Sequence, residues 1–167
     1  MTIVFLGLGT NVDRERSMCA GLEALARLDP DLVISNMYES DAVGFDGAAF
    51  YNCVVQLRTQ LPLAELVGTL KAIENANGRD RSSRCSDSKG LDIDVLTYGD
   101  LVGCYVDIEL PRSDILKYAH VLRPLSDIAP DACLPGTQSG YEHLWQSFDS
   151  TGQLLWFVDF SCSGLCS

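Results

Sequence analysis

The chain has 167 residues, 47 % apolar and 21 % charged, which suits one folded domain with a sizeable core and excludes disorder as the default state. Its formal net charge of −11 argues against a nucleic-acid partner, because a phosphate backbone wants a broad basic surface. No apolar run reaches the length of about eighteen residues that a membrane span needs, and Met1 to Leu8 is too short, and lacks a basic start, to be a signal peptide. No membrane partner is therefore expected, and the expected location is cytoplasmic.

In chain order, Thr2 to Leu8 is a short β-branched apolar run ended by Gly9-Thr10-Asn11, which predicts a buried strand and a turn. Between Arg14 and Leu28 the residues Met18, Leu22, Leu25, Ala26 and Leu28 fall on one helical stripe, and Asp29-Pro30-Asp31 supplies a stop. Leu32 to Tyr38 reads as a second strand and Asp41 to Ala49 as a loop. Phe50 to Thr59 returns to strand character, with Tyr51, Cys53, Val55 and Leu57 alternating against Asn52, Gln56 and Arg58. Pro62 suits a helix start, Leu63, Leu66, Val67, Leu70 and Ile73 keep helical spacing, and Asn77-Gly78 offers a left-handed cap. Ser82 to Lys89 reads as a loop, Leu101 to Leu110 as one or two short strands, and Leu116 to Leu125 as a helix or turn despite Pro124. After Pro135 only Leu154 to Phe160 has a clear pattern, that of a final strand covering the sheet edge or pairing with another subunit. Alternating helices and strands predict a single α+β domain over residues 1–167, with 136–167 as a divergent C-terminal tail. The oligomeric state is not legible. Seven cysteines, an odd number at wide spacings without an export signal, predict reduced thiols, with Cys19 and Cys53 as small buried apolar residues.

Chemistry concentrates in one stretch. Four of the twelve Lys and Arg residues, Arg79, Arg81, Arg84 and Lys89, lead into Leu91-Asp92-Ile93-Asp94-Val95. In a strand Asp92 and Asp94 share one face, roughly 6.5 to 7 Å apart at Cα, while Leu91, Ile93 and Val95 share the buried other. Such a carboxylate pair is either a solvated strand face or a holder of one or two Mg²⁺ ions, hard cations that bring substrate phosphates with them. The basic segment next to it favours the metal and a small anionic ligand.

Laid end to end, Leu6-Gly7-Leu8-Gly9-Thr10-Asn11, Phe50-Tyr51-Asn52, Glu74-x-x-x-Gly78-Arg79, Leu91-Asp92-Ile93-Asp94 and Leu122-Arg123-Pro124-Leu125-Ser126-Asp127-Ile128-Ala129-Pro130 resemble the 6-hydroxymethyl-7,8-dihydropterin pyrophosphokinases over roughly residues 1–135. The resemblance implies a ferredoxin-like fold, an antiparallel sheet with helices packed on it. It also implies Mg²⁺-dependent transfer of the β,γ-pyrophosphoryl unit of ATP to the hydroxymethyl group of a dihydropterin, releasing AMP. Asp92 and Asp94 match the metal carboxylates, implying two Mg²⁺ ions. Arg79 and Arg81 match the basic loop, and one of them would stabilise charge on the transferring phosphoryl group. Arg84, Lys89 and Arg112 fall on the ATP side. Ser40, Val43 and Gly44 match the pterin loop, Phe50 a stacking aromatic or plain core, and Asn52 the asparagine that reads the pterin's amide edge.

The chain also departs from the family. Pro111-Arg112-Ser113 stands where a histidine and tyrosine commonly follow the proline, Ser86 where a loop tryptophan is usual, and Lys89 where an arginine precedes the aspartate pair. His120 takes the second stacking position, either to stack or to hydrogen-bond the substrate's side chain, and Asp41 replaces a proline. These losses leave open a non-catalytic paralogue that binds a pterin or nucleotide in a regulatory or partner role. Retention of both aspartates, whose mutual repulsion costs stability unless a cation or solvent relieves it, favours the enzyme.

Overall fold

The computed structural model describes residues 1–41, 49–77 and 90–162. The elements in chain order are β1 (Thr2–Thr10), α1 (Arg14–Leu28), β2 (Val33–Ile34), β3 (Met37–Ser40), β4 (Phe50–Thr59), α2 (Leu63–Ala76), β5 (Asp92–Tyr98), β6 (Gly103–Tyr105), β7 (Ile108–Leu110), α3 (Asp114–Lys117), α4 (Ala119–Ile128), α5 (Tyr141–Gln146) and β8 (Leu155–Val158). The main sheet runs β5-β1-β4-β3-β8, with β2 also on β4 and every pairing antiparallel. Four of its strands, β1, β3, β4 and β5, with α1 and α2 form the expected βαββαβ ferredoxin-like arrangement. β6 and β7 make a separate hairpin, so Leu101 to Leu110 resolves as two strands.

The alternating patterns of β1, β4 and β5 give the sheet two apolar faces. On one, Val4, Leu6, Leu8, Val55, Leu57, Ile93 and Val95 pack against Met18, Leu22 and Leu25 of α1 and Leu66 and Leu70 of α2. On the other, Phe5, Val54 and Leu96 meet Ile115 of α3, Val121, Leu122 and Leu125 of α4, and Tyr141 of α5. Leu96 reaches this second face through a bulge: Val95 pairs with Leu6 and Thr97 with Phe5, so Leu96 is the extra residue. α4 continues through Pro124, and residues after Pro135 add α5 and the edge strand β8, which pairs with β3 as an edge cover.

The expected single strand Leu32 to Tyr38 is broken. The Ser35 backbone N–H donates to the Val54 carbonyl at 2.9 Å, but the Val54 N–H is taken by the Ser35 hydroxyl at 2.8 Å in place of a backbone carbonyl. A side chain inserted into the ladder separates β2 from β3. α1 stops as expected, with the Asp29 carboxylate accepting from the N–H groups of Asp31 and Arg58. α2 closes on Asn77 at φ −116°, without a left-handed residue there, its Nδ2 donating to the Ile73 carbonyl at 2.7 Å; Gly78 lies outside the described residues.

The expectation of reduced thiols is corrected for one pair. Cys19 on α1 and Cys162 beyond β8 form a disulfide, their Cα atoms 5.5 Å apart across 143 positions of sequence. Cys53 is the buried apolar thiol expected, its pKa pushed up to about 12 by burial.

Ser35 and Val54 are both buried, so Ser35→Ala should strand the Val54 N–H and cost about 1–2 kcal/mol in urea unfolding. An unchanged midpoint would mean that the hydroxyl is not a ladder partner.

Candidate active site

β1 places two glycines where the flanking strands present polar side chains. Gly9 pairs with Asp92 on one side and Asn52 on the other, and Gly7 pairs with Asp94 and Val54. Paired residues share a face, so the two aspartates stand across a glycine floor from Asn52. A Cβ on Gly9 would lie 3.4 Å from Asn52 Oδ1 and 3.8 Å from the Phe50 ring, filling the cradle that the missing side chain leaves. Ser40, Asp41, Phe50, Asp114, His120 and Val121 complete a cavity of about 120 Å³ over this floor.

Asn52 is buried, and its Nδ2 donates to the Ser40 hydroxyl at 2.8 Å, to the Tyr38 carbonyl at 3.3 Å and to the Phe50 carbonyl at 3.4 Å. The donor end of the amide is thus committed to the protein, and the carbonyl end faces Gly9 and the cleft. This narrows the sequence expectation of an amide reading two edges of a ring: Oδ1 is the acceptor available to a ligand N–H. Phe50 lines the cleft. His120 lies flat on Tyr118, ring centroids 5.1 Å apart, at the cleft wall. Burial lowers its pKa below the usual 6.5 against the opposing pull of Asp114, so the imidazole is neutral at neutral pH.

A second cavity of about 350 Å³ is lined by Val67, Lys71, Glu74, Val106, Ile108 and Arg112, among others, and Asp94 borders both. Arg112 is fixed by Nε, which donates to the Val95 carbonyl at 3.2 Å, and its Nη2 lies 3.6 Å from Asp94 Oδ1. Glu74, nearly fully buried, accepts the Ile93 N–H at 2.9 Å and so ties α2 to the strand that carries both aspartates. Burial raises the Asp94 pKa from the usual 3.8 to about 6; Arg112 opposes the rise, and the carboxylates of Asp92, Asp114 and Glu74 reinforce it.

That crowding of hard oxygen donors is the fit test for a divalent cation, and the residues pass it. Among the described residues no three metal-ligating side chains converge. A two-carboxylate set suits Mg²⁺, which keeps waters and takes phosphate oxygens as its remaining ligands.

The structure therefore gathers Asp92, Asp94, Ser40, Phe50, Asn52 and His120 around one cleft and sets Arg112 in the cavity beside it. Arg79, Arg81, Arg84, Lys89, Val43 and Gly44 lie outside the described residues. The sequence reading gave no role to Gly7, Gly9, Glu74 or Asp114. The glycines and Glu74 were visible as motif letters, whereas Asp114 enters the cleft through the α3 turn and left no local signal.

The family model for 7,8-dihydro-6-hydroxymethylpterin-pyrophosphokinase (HPPK) matches residues 5–130. The 2-amino-4-hydroxy-6-hydroxymethyldihydropteridine pyrophosphokinase of Pseudomonas aeruginosa is 35 % identical over 136 residues, covering 79 % of this chain and 83 % of that protein. The protein of the same description from Porphyromonas gingivalis is also 35 % identical over 136 residues, covering 78 % and 92 %. Among solved structures, an HPPK-DHPS in complex with substrates aligns with a TM-score of 0.62 at 14 % identity over 88 % of this chain, and the Plasmodium falciparum HPPK-DHPS aligns with 0.62 at 15 %. The aligned region spans 45 % and 43 % of those two chains, and at that identity the likeness concerns the fold alone.

Because the folded pKa of Asp94 lies above its unfolded value, the stability tied to this group is fullest below about 3.8 and is lost as pH rises through about 6. In chelator, Asp94→Asn should gain on the wild type between pH 4 and 7, by on the order of 1 kcal/mol once solvent screening of a side chain 42 % exposed is allowed for. Thermal unfolding profiles that stay parallel across that window would refute the assignment.

Proposed function

The chain belongs to the 7,8-dihydro-6-hydroxymethylpterin-pyrophosphokinase family, and on that footing we propose that it transfers the pyrophosphoryl unit of ATP to the hydroxymethyl group of a dihydropterin, a step of folate biosynthesis. The observation that carries this reading is the position of Asp94 between a small cleft walled by an aromatic ring and an amide and a larger cavity bordered by Arg112 and Lys71. One acceptor pocket and one anion-tolerant pocket that meet at a carboxylate suit a reaction joining a flat heterocycle to a polyphosphate.

The pterin ring would lie between Phe50 and His120 and offer a ring N–H to Asn52 Oδ1. Ser40 and the Tyr38 carbonyl hold that amide in one orientation, so a ring lacking the matching donor would leave a buried acceptor unpaired. The glycine floor admits the hydroxymethyl arm toward Asp92 and Asp94. Its oxygen bonds to the β-phosphorus as the bond from that phosphorus to the α-β bridging oxygen breaks; AMP leaves and the hydroxyl proton is released. Asp92 and Asp94 would hold Mg²⁺, two ions in our reading, which when bound neutralises phosphate charge and acidifies the attacking hydroxyl. Arg112 meets the nucleotide phosphates from the larger cavity, with Arg84 and Lys89 assigned to the same ligand. Arg79 or Arg81 stabilises charge on the transferring group. Val43 and Gly44 are assigned to the pterin through their backbone. The setting we propose is the cytoplasm, where ATP is available.

The test follows AMP formation from ATP, Mg²⁺ and 6-hydroxymethyl-7,8-dihydropterin. The wild type should form AMP, and Asp92→Ala with Asp94→Ala should reduce the rate by about 10²- to 10³-fold or more, the scale on which charge-stabilising groups act. Pterin binding by calorimetry without AMP from the wild type would replace the enzyme with the non-catalytic paralogue. A Gly9→Val variant that stays folded should raise the KM for the pterin by about tenfold, as lost fit in a buried site does; an unchanged KM would move the pterin out of this cleft.

A further inference from the structure

The family model ends at residue 130, yet the chain beyond it returns to both walls of the cleft. The Gln153 side chain accepts the Ala119 N–H at 2.8 Å and donates to the Lys117 carbonyl at 3.1 Å, so it holds the start of α4, one residue from His120. Next, β8 lies along β3 with Leu155 opposite Ser40 and Phe157 opposite Tyr38, the two residues that anchor the Asn52 amide. The Phe157 ring meets the Tyr38 ring edge-on, centroids 6.4 Å apart. The tail then turns inward through Phe160, edge-on to Tyr51, and ends its described course at the disulfide from Cys162 to Cys19 on α1.

Among the described residues, β8 is otherwise held by the β3 ladder and by Val158 and Phe160 against the core. It is an edge strand of four residues, and Leu154, Trp156 and Phe157 are 63 %, 45 % and 64 % exposed. A strand with so little burial of its own is marginal unless its ends are fixed. One end is fixed by Gln153 and the other by the disulfide. Cys162, buried at the margin of the core, also borders a cavity of about 580 Å³ between α1, β2 and the tail.

We propose that Cys19–Cys162 is a thiol-exchange site, a redox latch whose opening releases β8 from β3 and loosens the substrate-binding cleft. A dithiol reductant supplies the electrons: one of its thiolates attacks a disulfide sulfur, its second thiol resolves the mixed disulfide, Cys19 and Cys162 become thiols, and the reductant leaves as a disulfide. In a reducing compartment a disulfide that forms at all is commonly of this responsive kind rather than a permanent staple. The effect falls on the pterin side, because Ser40 and Tyr38 lie on β3 and His120 follows the helix start that Gln153 holds, whereas the larger cavity has no described tail residue in its lining. The assignment of the cleft to a pterin and the reducing setting rest on the proposed function; the disulfide and its contacts do not.

The closing experiment uses the full chain carrying Trp145→Phe, which leaves Trp156 on β8 as its sole tryptophan. Peptide mapping of the air-oxidised protein should recover the Cys19–Cys162 link, and dithiothreitol should remove it and shift Trp156 emission to the red. Reduction should also raise the pterin KM at least threefold and leave the KM for ATP within twofold. Cys162→Ser and Cys19→Ser should mimic the reduced protein and ignore dithiothreitol. Absence of the link, or identical Trp156 emission and pterin KM before and after reduction, would overturn the latch. Should either variant fail to fold, the dithiothreitol titration of the parent chain still decides. A protein that forms no AMP in any state would sink the proposed activity instead, and the latch would then stand or fall on Trp156 alone.

Discussion

The register of β1 is the constraint on which the rest of the structure depends. Nine consecutive residues, Thr2 to Thr10, pair with β4 without interruption, and Val4 to Gly9 pair with β5 through a single bulge. Side chains alternate along a strand, so this one register sends Val4, Leu6 and Leu8 into the core beneath α1 and α2 and turns Phe5, Gly7 and Gly9 to the opposite face. A slip of one residue would bury glycines and expose leucines, which fixes the register strongly. The same choice sets Asp92 and Asn52 on either side of Gly9. Core packing and site assembly are thus one event, and the site needs no separate device to bring its halves together.

Electrostatics then makes that assembled site unfavourable on its own. Burial, reinforced by the carboxylates of Asp92, Asp114 and Glu74, raises the Asp94 pKa to about 6, with Arg112 as the opposing cation. Arg112 is held by backbone as well as by charge, since its Nε reaches the Val95 carbonyl, and it faces the larger cavity where a phosphate would draw it further. On the proposed reading the unfavourable charge is the ground state for ligand binding: divalent cations and a polyphosphate bring the positive and negative charge for which the carboxylates and the guanidinium are already placed, so little reorganisation is left for the moment of reaction.

What was legible in the sequence divides along physical lines. Arg14–Leu28 and Phe50–Thr59 could be bounded from sequence because most of their apolar residues follow periods near 3.6 and 2, although β4 is buried on both faces from Tyr51 to Val55. The face shared by Asp92 and Asp94 followed from the same alternation. The break at Ser35 did not, because it depends on a hydroxyl that replaces a backbone acceptor only once β4 is alongside. Leu96 reached the second core through a bulge that β-branched patterning does not mark. Asp114 joins the cleft through α3, four residues long and without a period to read. The Cys19–Cys162 pair was misjudged because 143 positions separate the two sulfurs, and only closure of the sheet edge by β8 brings them together.

That pair also explains how a tail beyond the family's matched region can stay ordered. β8 contributes four residues with two exposed aromatics, too little burial to offset the ordering of the eight residues that lead to it from α5, at roughly 1–2 kcal/mol of backbone entropy each. Closing a loop of this length before folding removes chain entropy worth about 5 kcal/mol in the simplest model, so with the disulfide formed much of that ordering is done in the unfolded state. The reduced chain must instead rely on Gln153, on Val158 and Phe160 against the core, and on the short β3 ladder. Because β3 is itself only four residues long and lies between β4 and β8, losing its outer neighbour exposes one full side of the strand that holds the Asn52 amide. The Tyr38 hydroxyl, donating to Asp127 and accepting from Arg123, is then the principal remaining tie between β3 and α4 among the described residues. On the proposed reading, the state of one bond at the margin of the β1-centred core is transmitted to Asn52 through a single strand.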